Sequence, residues 1–297
     1  MGAGEEARAA LSGGADQGGG DDAGGDPAER ASEFPSLTAG AARVLREPDA
    51  AAKAAISRRL AAAWTRGALP IGNAAPPDAP ARPEKPALID PRDTPKRGPG
   101  TLEGRVALIH AIAHIELNAI DLHWDVIARF AQEEMPRGFF DDWATAADQE
   151  AKHFQLLSAR LAAFDSHYGA LPAHAGLWRS AEATMHDLPA RLAVVPMVLE
   201  ARGLDVTPGM IALFEKAGDA ETVAALRVIY AEEVAHVAYG AKWFNYLCGR
   251  AALDPKPAFH DLVRRHFGAK LKPPFNEEKR AEAGLPPDFY WPLTHND

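Results

Sequence analysis

An all-α fold built on a four-helix bundle is what the sequence predicts, and three observations carry the prediction. Four long stretches, near residues 102–132, 140–168, 180–203 and 219–249, repeat apolar residues at steps of three and four, the period of a helix with one buried face. No convincing alternating run argues for a strand. Each long stretch also carries a glutamate inside its apolar pattern, so the four share a polar feature as well as a period.

Taken in order, residues 1–35 read as a disordered, low-complexity tail. Residues 1–30 are rich in Gly, Ala and Asp, with Leu11 as their one large apolar side chain, too little to bury for order. Residues 36–100 read as short helices, interrupted at Pro48, followed by a strap. The strap, NAAPPDAPARPEKPALIDPRDTPKRGPG over 73–100, is too proline-dense for a helix or a central strand. Thr101 is placed to cap the first long helix, and the bundle occupies 101–250. Pro136-Arg137-Gly138 separates the first pair of helices. Gly203 with Pro208-Gly209 is expected to end the third helix, leaving a smaller one at 208–217, and Pro196 should kink it. The last segment, 251–297, starts with a short helix near 258–267. It ends in a tail whose Phe275, Phe289, Tyr290 and Trp291 are expected to pack on the bundle.

The glutamates are the chemistry. Ile109, Ile112, Glu116, Ile120, His123, Ile127 and Phe130 form the seam of the first helix. Trp143, Ala147, Glu150, Phe154, Leu157, Leu161 and Phe164 form that of the second, with His153 three residues after Glu150. The third, ARLAVVPMVLE, is apolar on nearly every side until Glu200, as an enclosed helix would be. In the fourth, Glu233 and His236 interrupt a run of Val223, Leu226, Tyr230, Val237, Gly240, Phe244 and Leu247. An isolated buried carboxylate costs several kcal/mol or takes up a proton, so something must compensate these four.

Residues three apart on a helix are neighbours, so E-x-x-H presents a carboxylate and an imidazole to one point. One such match is weak; two on apolar helical seams are not. Glu116 to Glu150 is 34 residues, Glu200 to Glu233 is 33, and the order Glu, E-x-x-H, Glu, E-x-x-H repeats after about 84. Two helix pairs facing each other across a core would produce this. Four carboxylates and two imidazoles suit two hard-to-borderline divalent ions, the arrangement of dinuclear carboxylate bundles. The expected ligands are Glu116, Glu150, His153, Glu200, Glu233 and His236. Glu232 is expected to face solvent or stand behind the ligands, the lesser alternative being that it replaces Glu233. His123 is expected to be a hydrogen-bonded core histidine, or to line the cavity or back the ligands, and His114 to contact the strap. Tyr230 and Tyr239 are within two turns of the site as packing aromatics or redox partners.

The wording IAHIELNAIDL, DQEAKHF, VLEARGLD and EEVAHVAYG resembles the ferritin-like superfamily, and within it a bacterial family known as a domain of unknown function. The resemblance covers about 80–295, including the strap and the KPPFN tail. It implies a ferritin-like four-helix bundle with a crossover connection, a di-iron centre on the six residues above, and relatives that include a tRNA hydroxylase and other di-iron oxygenases. Manganese shares these ligands.

Composition narrows the classes. One cysteine, Cys248, excludes an intrachain disulfide and fits a reducing compartment. No signal peptide and no run of roughly 20 apolar residues is visible, so a cytoplasmic location without membrane association is expected. Of the net charge of −9, residues 1–30 hold −5, with seven acids and two bases. Basic strips around Arg92, Lys96, Arg97 and Arg105, or Arg264, Arg265, Lys270 and Lys272, are no obligate nucleic-acid surface, although a tRNA substrate fits the resemblance. The expected function is an O2-activating oxidoreductase or hydroxylase, with a small-molecule or modified-nucleoside substrate and an electron donor. The alternatives are a ferroxidase or iron-handling protein, and a non-catalytic bundle stapled by metal. The segments flanking the bundle would crowd assembly into a shell, so a monomer or dimer is expected.

Overall fold

A computed structural model describes residues 33–89, 100–174 and 176–295. The expected disorder of 1–35 and three basic residues of the strap, Arg92, Lys96 and Arg97, lie almost entirely outside these ranges. Among the described residues every regular element is helical, and the one β-bridge, Leu88 to Ala173, is isolated.

Local chemistry sets the helix starts. The side chains of Ser36 and Asp49 accept the Ala39 and Ala52 N–H groups at the heads of α1 (Leu37–Arg46) and α2 (Ala50–Thr65). Thr101 caps α3 (Leu102–Arg129) through the Gly104 N–H, as expected. Helix α4 (Arg137–Ala162) begins immediately after Pro136 and stops six residues before the predicted end. The third rod departs from expectation. After α5 (Gly176–Glu182), which belongs to the connection before it, it is assembled from α6 (Leu188–Val194), a π-helical turn at Val195–Glu200 and α7 (Ala201–Lys216). Helix α8 (Ala220–Arg250) matches the fourth stretch, and α9 (Pro255–His266), α10 (Glu277–Glu282) and α11 (Pro287–Tyr290) follow.

Gly203 and Pro208-Gly209 therefore do not end the third helix; α7 runs through them. Pro208 removes the N–H that the Leu204 carbonyl would accept. The Asn276 amide donates to that carbonyl instead, at 3.2 Å, so the C-terminal tail repairs the helix that proline would break. Pro196 acts as expected in kind, its turn opening into the π segment.

Helices α3 and α4 form one pair, and the α6–α7 rod packs against α8 as the other, with α4 and α8 in contact between them. Residues 163–187 cross from one pair to the other and contain α5. Helices α1 and α2 cover the outer side of α3 and α4. The Trp124 indole donates to the Ser57 hydroxyl at 2.8 Å, and that hydroxyl donates to the Ala147 carbonyl at 3.0 Å, joining α2, α3 and α4. This cover explains why α3 is buried on nearly all sides from Ile112 to Ala128. It also buries charge: Asp121 pairs with Lys53 of α2, and Asp125 with Arg191 of α6 at 2.6 Å. Neither pair is legible in the helical period.

The described part of the strap lies on the bundle. Ala81 N–H donates to the Leu45 carbonyl at 2.7 Å and Arg82 to Asn118 at 2.8 Å. The aromatic tail packs as expected, with Phe289 and Tyr290 buried and Trp291 at its edge. Cys248 is buried, and burial pushes its thiol pKa up, as for a packed thiol. Among the described residues no helix is long and apolar enough to cross a membrane.

Candidate metal centre

The two E-x-x-H turns face each other across the α4–α8 contact, while Glu116 enters from α3 and Glu200 from the π turn. His153 Nδ1 lies 3.2 Å from Glu116, 3.6 Å from Glu150 and 3.9 Å from Glu233. His236 Nδ1 lies 3.0 Å from Glu150 and 3.5 Å from Glu233. All six side chains are almost entirely buried, Glu200 and Glu233 being the most open at 9%.

Glu232 and Gln149 orient the histidines. His153 Nε2 donates to Glu232 at 2.8 Å, and Glu232 is paired to Lys152. His236 Nε2 donates to Gln149 at 2.8 Å. The residue before each motif glutamate thus holds the histidine of the opposite motif, in QEAKH and EEVAH alike. With the outer nitrogens so occupied, both Nδ1 atoms are turned inward as ligands would be. Of the two, the sequence offers Glu232 as either solvent-facing or behind the ligands and does not single out Gln149, whose signal is this repeated position.

His123 is not an ordinary core histidine. Its Nε2 faces Glu150 at 3.5 Å and Glu200 at 3.6 Å, and its ring stacks on Trp143 with centroids 5.3 Å apart. His114 does not hydrogen-bond to the described part of the strap. Its nitrogens pair with the Tyr168 hydroxyl at 2.8 Å and the His174 carbonyl at 2.9 Å, both in the crossing connection. Burial pushes its pKa down to about 4, which keeps it neutral. The Tyr230 hydroxyl accepts from Asn276 at 2.7 Å and so belongs to the tail anchor. Tyr239 packs near His236 and Trp143, at 6.4 and 6.3 Å between ring centres.

The donor set can be tested against a metal by its unmet demands. Both Glu150 oxygens, both Glu200 oxygens, His123 Nε2 and His236 Nδ1 are buried without a hydrogen-bond partner. Buried polar atoms are nearly always paired, so six orphans around one point need a common explanation. Ligand atoms of Glu116, Glu150, His153 and Glu233 lie within 4.8 Å of one another, as do those of Glu200, Glu233 and His236, and of His123, Glu150 and His236. These groups could hold a metal ion, and they overlap at Glu150, Glu233 and His236. A divalent cation would offset the carboxylate charge gathered here. The residues fit.

Without metal, protons occupy the same ground. Burial and the charge of Glu150 raise the Glu116 pKa well above the carboxylate range. Burial opposes a charged Glu150, but the surrounding imidazoles of His123, His153 and His236 outweigh it and hold that carboxylate well below the usual range. Burial raises Glu200 to about 7. Burial lowers His236, yet Glu233 and Glu150 outweigh it and hold the imidazole at about 10. Metal loading near pH 7 should therefore release protons from Glu116, His153 and His236, and in part from Glu200, and apparent affinity should rise with pH between about 6 and 9. Calorimetric metal titrations in two buffers of different ionisation enthalpy measure this directly; no proton release and a flat affinity would contradict it.

One wall of the site is open to an apolar cavity of about 250 Å³. Glu116, Glu150, Glu200 and Glu233 are among the residues that line it, together with Leu108, Ile112, Ile115, Leu199, Val206 and Met210. The three histidines do not border it. Gly240 lets α8 approach the π turn closely, because a Cβ there would lie 2.6 Å from Pro196, the second residue of the turn that carries Glu200.

Fold and site together define an all-helical bundle whose buried glutamates and histidines could hold a metal ion. The chain belongs to the DUF455 family, described as a protein of unknown function, the match spanning residues 46–291. An uncharacterized protein of Haemophilus influenzae is 43% identical over 208 residues, 68% of this chain and 72% of the relative. No solved structure matches the chain.

Proposed function

We propose that this protein is a ferritin-like dinuclear carboxylate oxidoreductase, a di-iron oxygenase in type, acting on an apolar substrate or the apolar part of a larger one. Glu116, Glu150, His153, Glu200, Glu233 and His236 would hold the ions. The observation that carries the reading is the meeting of six orphaned buried ligand atoms with a largely apolar cavity that the four carboxylates help to line. When bound, the ion pair supplies redox equivalents and Lewis acidity for the activation of dioxygen.

The protein's own contribution is positioning and exclusion. Gln149 and Glu232 lock the two imidazoles, and Lys152 anchors Glu232. Leucine, isoleucine and valine side chains shed water from the approach and favour a hydrocarbon over a hydrated ion. In a hydroxylation, one oxygen atom would enter a C–H bond and the other leave as water, with the further electrons drawn from an external donor.

The test is incubation of Fe(II)-loaded, full-length protein with a chemical reductant, 18O2 and two pools: lipophilic small molecules and modified nucleosides. An 18O-labelled product from either pool is expected. Oxygen consumption with iron oxidation and no labelled product from both pools would favour iron handling and remove this reading.

A further inference from the structure

We infer that His123 is a seventh ligand, so that one of the two ion positions is held by two histidines and the other by one. This rests on the dinuclear reading and adds a residue that the repeated motif does not contain. Glu116 and His123 are seven residues apart, two turns along one face of α3. A single helix can thereby serve both positions. Near Glu116 the cluster is Glu116, Glu150, His153 and Glu233, with one imidazole among four donors. On the other side it is Glu200, Glu233 and His236, and His123 shares a second group with Glu150 and His236.

Geometry separates a ligand from a packed or hydrogen-bonded histidine. The ring is 1% exposed, so solvent does not satisfy Nε2. That nitrogen faces two carboxylate oxygens, at 3.5 and 3.6 Å, yet makes no hydrogen bond to either, and both oxygens are themselves unpaired. An N–H donor would turn into one of these acceptors; three lone-pair-bearing atoms converging without a bond suit a cation between them. The Trp143 face stacked on the ring, and the His236 ring 5.5 Å away at 72°, hold it in this orientation. His153 and His236 offer Nδ1, whereas His123 offers Nε2, consistent with its approach from a different helix.

The consequence is inequivalence. The position with two imidazoles is the more nitrogen-rich and should favour borderline ions such as Co(II) and Fe(II) over Mn(II), while the oxygen-rich one should discriminate less.

The experiment uses metal-stripped, full-length protein titrated anaerobically with Co(II). Wild type should bind two Co(II), and its proton NMR spectrum should show three strongly shifted, exchangeable imidazole N–H signals. His123→Ala should weaken one of the two binding steps by at least the roughly 10–100-fold that loss of an outer partner costs, leave the other step unchanged, and alter the visible Co(II) bands. Two bound Co(II) with only two shifted signals in wild type would overturn the assignment, and this count does not depend on the variant folding. A folded His123→Ala protein with wild-type affinities and bands would overturn it equally. A wild type that takes up no Co(II) would remove the dinuclear reading, and the seventh ligand with it.

Discussion

Replacing Glu150 by alanine should strip most of the bound metal from this protein while leaving its helical content intact. Glu150 is the carboxylate on which the site converges: His236, His123 and His153 lie 3.0, 3.5 and 3.6 Å from its oxygens, and it belongs to two of the three overlapping donor groups. Outer partners of metal ligands cost about 10–100-fold in affinity when removed, so a ligand positioned between both ions should cost more than that. The fold should survive, since the imidazoles can shed their protons once Glu150 is gone and no buried charge is stranded. His236→Ala should behave in the same way, losing the nitrogen nearest Glu150. Elemental analysis of purified protein beside far-ultraviolet circular dichroism checks both. Full metal retention in both folded variants would end the ligand assignment.

A loss of stability of about 3–5 kcal/mol is expected from Arg280→Ala, the cost of stranding one partner of a buried ion pair. Arg280 is 2% exposed, and its guanidinium donates to Asp205 at 2.8 and 2.7 Å, with Phe275 and Tyr290 against its plane. Asp205 also accepts the Asn276 N–H at 2.9 Å, and Arg202 donates to the Lys272 and Pro274 carbonyls at 2.8 and 3.0 Å. All of these contacts clamp the tail onto α7, the helix continuing from Glu200. The variant should therefore also release the Leu204 carbonyl from Asn276 and loosen the turn that aims Glu200. Urea unfolding of metal-free protein measures the first effect, and metal affinity the second. A stability change below about 1 kcal/mol would mean the tail is no clamp, as surface pairs are worth no more than that.

The contrast between these residues shows what a linear reading can reach. Glu150 and His153 were legible because a helical turn places residues three apart on one face whatever surrounds it. Glu200 was legible because it ends a run that is apolar from Leu192 to Leu199. Asp205 and Arg280 were not, because their meaning depends on a partner 75 residues away. His123 stands on the right face, but the sequence leaves it between a core histidine and one that lines the cavity or backs the ligands, since a lone histidine on an apolar seam carries no spacing signal. The third helix was misjudged for a related reason. Pro208 does remove a donor, but only the folded chain brings Asn276 to replace it.

By itself, then, the order of residues determined the all-helical class, the start of α3 at Thr101, the course of α4 and α8, and a doubled Glu, E-x-x-H pattern on their buried faces. These follow from forces acting within about one turn of chain: side-chain period, capping and the missing N–H of proline. Only tertiary structure decided that Gln149 and Glu232 each secure the opposite motif's histidine, that His123 joins the cluster, and that an apolar cavity reaches the carboxylates. The crossing and longitudinal offset of packed helices set such meetings, and a shift of one turn, about 5.4 Å, would separate every pair.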